Sequence, residues 1–197
     1  MKIHNIDQRS DEWKALRLGR FGSTDAQAVA TAGKGLETLA YTKAAERLSG
    51  KAEENYTNAD MERGAEQEEL ARASYEIQTS KAVTTVGYIE LDEFTGGSPD
   101  GLMGDDGIIE IKCMRMAGYL KAKHTKKIDS KYLYQIQHLL YITDRQQADF
   151  IVFNENFPDV VIIPVKRDEA KIEKIKIGLE KGIELVNKII SEVNNGK

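Results

Sequence analysis

The chain has 197 residues, of which 41% are hydrophobic and 30% charged, and a formal net charge of −4 at pH 7. This composition is ordinary for a globular protein; it excludes a bilayer-spanning chain, because no long uncharged apolar run occurs, and it argues against indiscriminate binding to nucleic acid. The first residues lack the apolar core of a signal peptide and Cys113 is the only cysteine, so we expect a cytosolic protein without disulfides, folded as one domain over residues 1–197.

Two short helices are predicted first, over residues 10–19 and 26–32. Ser23 or Thr24 is predicted to cap the second helix. The free N–H groups at a helix start, together with a hydroxyl, can bind an anion, and Arg17 near the end of the first helix adds a charged donor. Every capped helix has this potential, so an ordinary structural cap is the alternative interpretation.

Two longer helices are predicted next, over residues 38–48 and 58–78, the second of them capped by Asn58. Glu68 lies in the middle of a stripe of small and apolar residues on the second helix. The other members of this stripe are Met61, Gly64, Ala71 and Tyr75. A carboxylate on such a face must be paired, protonated or bound to a metal, so a salt bridge to an arginine is the alternative to a metal site.

After a strand predicted at Val83 to Leu91, a β-hairpin is predicted around a three-residue loop that ends with Gly107 in the left-handed region. Side chains alternate faces along a strand, so Glu110 and Lys112 share one face. The predicted loop places Asp100 opposite Lys112, and therefore on that same face. Two carboxylates and one amine are thus expected to converge at one end of the hairpin.

An Asp and a Glu beside a Lys form a site for a hard divalent cation, because Mg²⁺ prefers carboxylate oxygens and keeps several waters. Asp100, Glu110 and Lys112 have the chemistry that metal-assisted hydrolysis of a phosphodiester requires. The pattern alone is weak, since charged residues on a solvated strand face also produce it.

Residues 112–131 form a locally basic segment beside this predicted site, with Asp129 as the single acid. The basic residues are Lys112, Arg115, Lys121, Lys123, Lys126, Lys127 and Lys131. We expect Arg115, Lys121 and Lys123 to contact DNA phosphates. A solvated loop and helix face is the alternative interpretation.

The C-terminal half is predicted to contain a helix over residues 129–143, in which Gln135 is a polar group on a mostly apolar stripe. A closing pair of strands follows over residues 148–154 and 160–165. A long helix over residues 168–193 has apolar residues near heptad spacing, so it either covers the core or forms an oligomer contact.

Several short motifs occur in a fixed order between residues 8 and 153. They are Gln8-Arg9-Ser10, Glu12-Trp13, Arg17-x-Gly19, Ser23-Thr24, Gly64-Ala65-Glu66-Gln67-Glu68, Ala71, Tyr75-Glu76, Ser98-Pro99-Asp100-Gly101, Glu110-Ile111-Lys112 and Tyr132-x-x-Gln135-x-Gln137. In their order and spacing they resemble the YqaJ-type viral recombinase family, the group of phage lambda exonuclease, within the PD-(D/E)-x-K nuclease superfamily.

This resemblance implies an α/β fold with a restriction-endonuclease-like core, a central mixed β-sheet flanked by α-helices. It also implies a Mg²⁺-dependent exonuclease that degrades one strand of linear double-stranded DNA from the 5′ end, with Mn²⁺ expected to substitute. Lambda-like members act as ring-shaped trimers beside a single-strand annealing protein, so the resemblance implies both kinds of partner, no membrane, and a phage or prophage origin in a bacterial host.

The resemblance also assigns roles at the catalytic centre. Asp100 and Glu110 resemble the metal ligands, together with the backbone carbonyl of Ile111, and Lys112 resembles the catalytic lysine. Glu68 resembles the acid that a helix presents to the metal, directly or through a water.

Outside the metal ligands, Gln135 resembles the glutamine that supports the site, and Arg17 the residue that holds the terminal 5′-phosphate. Thr24 falls where the family has a phosphate-binding hydroxyl. However, Gly22-Ser23-Thr24 departs from the family's usual Thr-Ala-Ser order, so the phosphate contact is left open between Ser23 and Thr24.

Two other functions remain as alternatives. One is a different PD-(D/E)-x-K enzyme, such as a restriction endonuclease or a junction resolvase; Arg17 and the Ser23/Thr24 pair argue against it, because recognition of a DNA end needs a phosphate pocket. The other is a non-catalytic protein that binds DNA ends. The presence of the Asp, Glu and Lys of the hairpin argues against that second alternative.

Overall fold

The structure is a computed structural model that describes residues 1–52 and 59–196, with side chains described for all of these except 59–65. Its strands are β1 (Lys2–His4), β2 (Val83–Thr84), β3 (Tyr88–Glu90), β4 (Gly96–Gly97), β5 (Gly101–Met103), β6 (Gly107–Cys113), β7 (Gln147–Phe153) and β8 (Val161–Lys166). Its helices are α1 (Asp11–Arg17), α2 (Ala26–Thr31), α3 (Lys34–Ser49), α4 (Ala59–Thr79), α5 (Met116–Thr125), α6 (Ser130–Thr143) and α7 (Glu169–Asn194), with a 3-10 turn at Ser23–Asp25.

The central element is a five-stranded mixed sheet in the order β2-β5-β6-β7-β8. Strand β6 pairs antiparallel with β5 and parallel with β7, and β7 pairs antiparallel with β8. A parallel pair needs a long crossover, which α5 and α6 provide here. The predicted mixed sheet with flanking helices is therefore confirmed, including its closing pair of strands. A second, three-stranded sheet has the order β1-β3-β4.

Helices cover both faces of the central sheet. On one face α4 packs its fully buried Ala71 and Tyr75 against Ile109 and Ile111 of β6. On the other face α5 and α6 pack against β7 and β8. The long helix α7 packs with α2, α3 and α6, and its role in an oligomer stays a prediction. Within the described residues, no helix is long and apolar enough to cross a bilayer.

The hairpin of β5 and β6 has a loop of the predicted three residues, but the loop is Gly104-Asp105-Asp106 rather than residues 105–107, and the register differs. Leu102 pairs with Ile108 and Gly101 with Ile109, so continuing the register places Asp100 opposite Glu110 rather than opposite Lys112. The loop residue in the left-handed region is Gly104, with φ 55°, and not Gly107, which begins β6. The shift is by two residues, so it preserves the face of every side chain.

Other predicted boundaries need correction. No side chain of Ser23 or Thr24 caps α2, because these residues form the 3-10 turn that precedes it. Helix α3 begins at Lys34, four residues before its predicted start, because Gly35 lies inside the helix against Ala28.

The strand predicted at residues 83–91 is two short strands, β2 and β3, that belong to different sheets. Strands β1 and β4 and helix α5 were not predicted. The predicted cap Asn58 lies outside the described residues, as do the side chains of Met61 and Gly64 in the predicted stripe of α4.

Candidate active site

The turn from β4 into β5 carries Asp100, and the middle of β6 carries Glu110. Asp100 is half-buried, and its Oδ2 accepts a hydrogen bond of 2.6 Å from the backbone N–H of Ile111 on the neighbouring strand. Glu110 is 1% exposed beneath α6. Because the hairpin register places Asp100 opposite Glu110, the two carboxylates lie together at one end of the central sheet.

The two oxygens of Glu110 have different surroundings. Oε1 accepts hydrogen bonds from Lys112 Nζ and from Gln135 Nε2 of α6, both at 2.6 Å. Oε2 is buried and has no hydrogen-bond partner within the described part of the chain. A buried carboxylate oxygen without a partner is costly, so this atom has the position of one that receives a ligand from outside the protein.

Burial raises the pKa of Asp100 well above its ordinary value, and the neighbouring charge of Glu110 raises it further. Burial likewise raises the pKa of Glu110, although the ammonium of Lys112 partly offsets this effect. For Lys112 burial acts to lower the pKa, but the two carboxylates outweigh it and raise the pKa. Burial therefore disfavours the charge of both acids, and at Asp100 the repulsion by Glu110 outweighs the attraction of Lys112. A divalent cation beside the two carboxylates would stabilise their charged forms.

This donor set fits Mg²⁺. The carboxylates of Asp100 and Glu110 and the predicted carbonyl of Ile111 are all oxygen ligands, and Mg²⁺ typically takes one or two carboxylates and keeps several waters. Among the residues that the structure describes, no group of three or more His, Cys, Asp or Glu side chains could hold a metal. A cation here would therefore depend on two carboxylates, backbone and water.

Glu68 of α4 lies at the edge of this cluster and forms two salt bridges. Its Oε2 accepts from Arg9 at 3.0 Å and its Oε1 from Arg72 at 2.9 Å. The alternative interpretation, a salt bridge to an arginine, is therefore present, and each carboxylate oxygen of Glu68 has an arginine partner. Neither arginine was predicted as the partner, although Arg72 lies at the i+4 spacing that pairs opposite charges on a helix.

We expect Glu68→Gln to lower the rate of DNA cleavage about tenfold, the lower end of the range for residues that orient metal ligands. The physical reason is that Arg72 then loses the charge that holds it beside Asp100. Glu66→Gln and Glu69→Gln are matched controls, because both side chains are exposed on other sides of α4. Steady-state cleavage of linear duplex DNA measures the effect. Equal, small losses in all three variants would show that Glu68 is an ordinary surface ion pair.

Arg17 is exposed at the end of α1 and lies over the ring of Trp13, at 4.0 Å from the ring centroid. Trp13 in turn donates a hydrogen bond of 2.8 Å from Nε1 to the hydroxyl of Ser98, two residues before Asp100. The indole therefore connects the guanidinium of Arg17 to the turn that carries the first carboxylate.

Three cations on the segment after α1 and on α3 already have anionic partners. These ion pairs are Arg20 with Glu90, Lys43 with Glu46, and Arg47 with Glu93. Arg17 makes no salt bridge with any other residue of the described ranges. Its charge is therefore available for an anion from solution, as the predicted 5′-phosphate contact requires.

The two candidate hydroxyls point to different environments. Ser23 is buried, and its hydroxyl forms a 3.0 Å hydrogen bond with Nδ1 of His138, a ring that is neutral at pH 7 because burial lowers its pKa to about 4. Thr24 is exposed. Thr24, and not Ser23, is therefore accessible to a phosphate.

The predicted DNA contacts on and beside α5 are all exposed. Arg115 lies at the start of the helix. Lys121 has no ion pair with a described residue, whereas Lys123 contacts both carboxylate oxygens of Asp159 at 2.9 and 3.0 Å. The charge of Lys123 is thus partly compensated within the protein. We therefore expect Lys121 to bind the phosphate backbone of DNA more strongly than Lys123 does.

Comparisons with known proteins add three findings. The family model of the YqaJ-like viral recombinase domain matches residues 12–146. The alkaline exonuclease LHK-Exo from Laribacter hongkongensis, solved alone and in complex with dAMP, is 31% identical with a TM-score of 0.88, and each match covers 95% of this chain and 97% of the other. A phage-related exonuclease from Haemophilus somnus 129PT shares the fold at 19% identity, covering 90% and 98% of the two chains, with a TM-score of 0.70. No curated protein matches.

Proposed function

The chain belongs to the YqaJ-like viral recombinase domain family, and we propose that it is an exonuclease that degrades one strand of linear double-stranded DNA from the 5′ end with Mg²⁺. Its role is phage-type recombination beside a single-strand annealing protein, and it acts as a homo-oligomer, a trimeric ring by the family resemblance. The observation that carries the proposal is the buried Oε2 of Glu110, which has no hydrogen-bond partner among the described residues and lies beside Asp100 and Lys112.

Each residue of the site has a separate role in hydrolysis. Mg²⁺, when bound by Asp100 and Glu110, supplies a Lewis acid for the scissile phosphate and an activated water. Lys112 holds a positive charge beside the developing negative charge of the phosphate, and Gln135 fixes the carboxylate of Glu110 through its 2.6 Å hydrogen bond. Arg17 holds the 5′-phosphate, and this contact places the first phosphodiester bond at the carboxylates.

Digestion of three matched duplexes with Mg²⁺ tests this proposal: 5′-phosphorylated linear, 5′-hydroxyl linear and closed circular DNA. We expect rapid degradation of the phosphorylated duplex, slower degradation of the hydroxyl duplex, no cleavage of the circle, and no activity with EDTA. Mn²⁺ should restore activity after EDTA treatment. Cleavage of the circular duplex would instead identify an endonuclease, and binding to ends without hydrolysis would identify a non-catalytic protein.

The accessibility of the two hydroxyls gives a further prediction. Thr24→Val should slow degradation of 5′-phosphorylated ends about tenfold, since it removes one hydrogen bond to a charged group. Ser23→Ala should instead reduce the free energy of unfolding by about 1–3 kcal/mol, because it leaves Nδ1 of the buried His138 without a partner. Thermal melting and initiation rates on the two kinds of end separate these effects. A loss of phosphate preference in Ser23→Ala, with none in Thr24→Val, would reverse the assignment.

A further inference from the structure

The Gln8-Arg9-Ser10 motif has no role in the proposed function, although it contacts the turn that carries Asp100. Nε2 of Gln8 lies 3.0 Å from the carbonyl oxygen of Val86 and 3.3 Å from that of Pro99. A carboxamide nitrogen has two hydrogens, so Gln8 can donate one to each carbonyl. Its side chain is half-buried, and it connects the N-terminal segment to the residue directly before Asp100.

Arg72 contacts the next carbonyl along the same turn. Its Nε donates to the carbonyl oxygen of Asp100 at 3.2 Å, while its NH2 group donates to Glu68 at 2.9 Å. Glu68 also accepts from Arg9, whose backbone adopts the left-handed region at φ 72°. Two consecutive carbonyl groups are thus held by side chains from two separate parts of the chain.

The turn needs such support because it lies outside the sheets. Strand β4 ends at Gly97 and β5 begins at Gly101, so the intervening residues have no ladder hydrogen bonds. Pro99 also lacks a backbone N–H. The direction of the Asp100 carboxylate therefore depends on side-chain contacts to the turn and on its own bond to Ile111.

We propose that Gln8 and Arg72 are positioning residues for Asp100, which hold the carbonyls of Pro99 and Asp100 so that the carboxylate faces the divalent cation. This inference rests on the proposed function. Neither side chain needs to touch the metal or the DNA. Both act by fixing the backbone of a ligand, and groups that orient metal ligands typically change metal affinity 10- to 100-fold.

The test measures Mn²⁺ binding to the DNA-free protein by titration calorimetry, with thermal melting alongside. Gln8→Leu keeps the approximate size of the side chain and removes both donors, so we expect Mn²⁺ affinity to fall about tenfold. Arg72→Lys keeps the charge opposite Glu68 but loses the two-pronged guanidinium, so it should also weaken Mn²⁺ binding.

Gln78→Leu is the matched control. The carboxamide of Gln78 also bonds backbone groups across a gap between elements, donating to the carbonyl of Val160 at 3.2 Å and accepting from its N–H at 3.0 Å. This variant should lower the melting temperature as much as Gln8→Leu does, and it should leave Mn²⁺ affinity unchanged. A merely structural role for Gln8 would make the two variants behave alike.

Two contrary results are distinguishable. If Gln8→Leu and Arg72→Lys bind Mn²⁺ as tightly as the wild type, while Asp100→Asn does not bind it, the positioning role is wrong and the proposed function stands. If the wild-type protein binds no Mn²⁺ and degrades no DNA, the proposed function fails and the positioning role fails with it.

Discussion

Replacing either carboxylate of the hairpin with its amide is expected to abolish DNA degradation without unfolding the protein. Asp100→Asn and Glu110→Gln each remove a charged ligand, and Lewis-acid stabilisation is worth several kcal/mol, so turnover should fall about a thousandfold or more. Lys112→Ala should be similarly inactive, because it removes the cation beside the reacting phosphate.

Thermal stability should not fall with activity in the two amide variants. Burial makes the charged forms of Asp100 and Glu110 unfavourable in the folded protein and raises both pKa values, and the charge of Glu110 raises the pKa of Asp100 further. A neutral amide removes that cost, so the melting temperatures of Asp100→Asn and Glu110→Gln should equal or exceed that of the wild type. Lys112→Ala should instead melt lower, since it leaves Glu110 buried without its ammonium partner.

Side-by-side melting curves and degradation assays with Mg²⁺ check these results. Asp106→Asn is a suitable control, because this acid lies in the exposed loop of the same hairpin. It should match the wild type in both assays. Turnover near the wild-type rate in any of the three active-site variants would remove the catalytic assignment from the hairpin.

The face on which each side chain of the hairpin lies was predictable from sequence, because it depends only on neighbouring residues. Side chains alternate along β6, and a loop with an odd number of residues places residues of the same face opposite each other. Asp100, Glu110 and Lys112 were therefore predicted to share a face, and they do so even though the predicted register was wrong by two residues. The left-handed residue was assigned to the wrong glycine because the turn sequence has a glycine at each end, Gly104 and Gly107, and sequence alone does not say which of them lies in the loop.

The surroundings of the site depend on contacts that are distant in sequence. Ser23 and His138 are 115 positions apart, and Arg9 and Glu68 are 59 apart. Whether a hydroxyl is buried or exposed, and whether a carboxylate meets an arginine, follows from how the layers pack. Local periodicity carries no such information, so the sequence does not say that Ser23 is buried and Thr24 exposed.

Replacing Arg17 with alanine is expected to reduce initiation on 5′-phosphorylated duplexes by about one to two orders of magnitude. A hydrogen bond to a charged group is worth roughly 1.5–3 kcal/mol, and each 1.36 kcal/mol corresponds to about tenfold in rate. The stack on Trp13 holds the guanidinium in place, and the three cations on the segment after α1 and on α3 are already paired with acids, so no residue of that group can replace it.

Comparing a duplex with a 5′-phosphate and a duplex with a 5′-hydroxyl makes the test specific. A 5′-hydroxyl end lacks the dianion, so Arg17→Ala should lose much less activity on it than on a 5′-phosphate. Lys14→Ala is the matched control, because Lys14 is an exposed cation on the same helix whose charge is paired with Asp11 at 2.9 Å. Equal losses on both ends would make Arg17 a structural residue, since a group that only supports α1 cannot distinguish a phosphate from a hydroxyl. A wild-type preference for 3′ ends would contradict the proposed polarity itself.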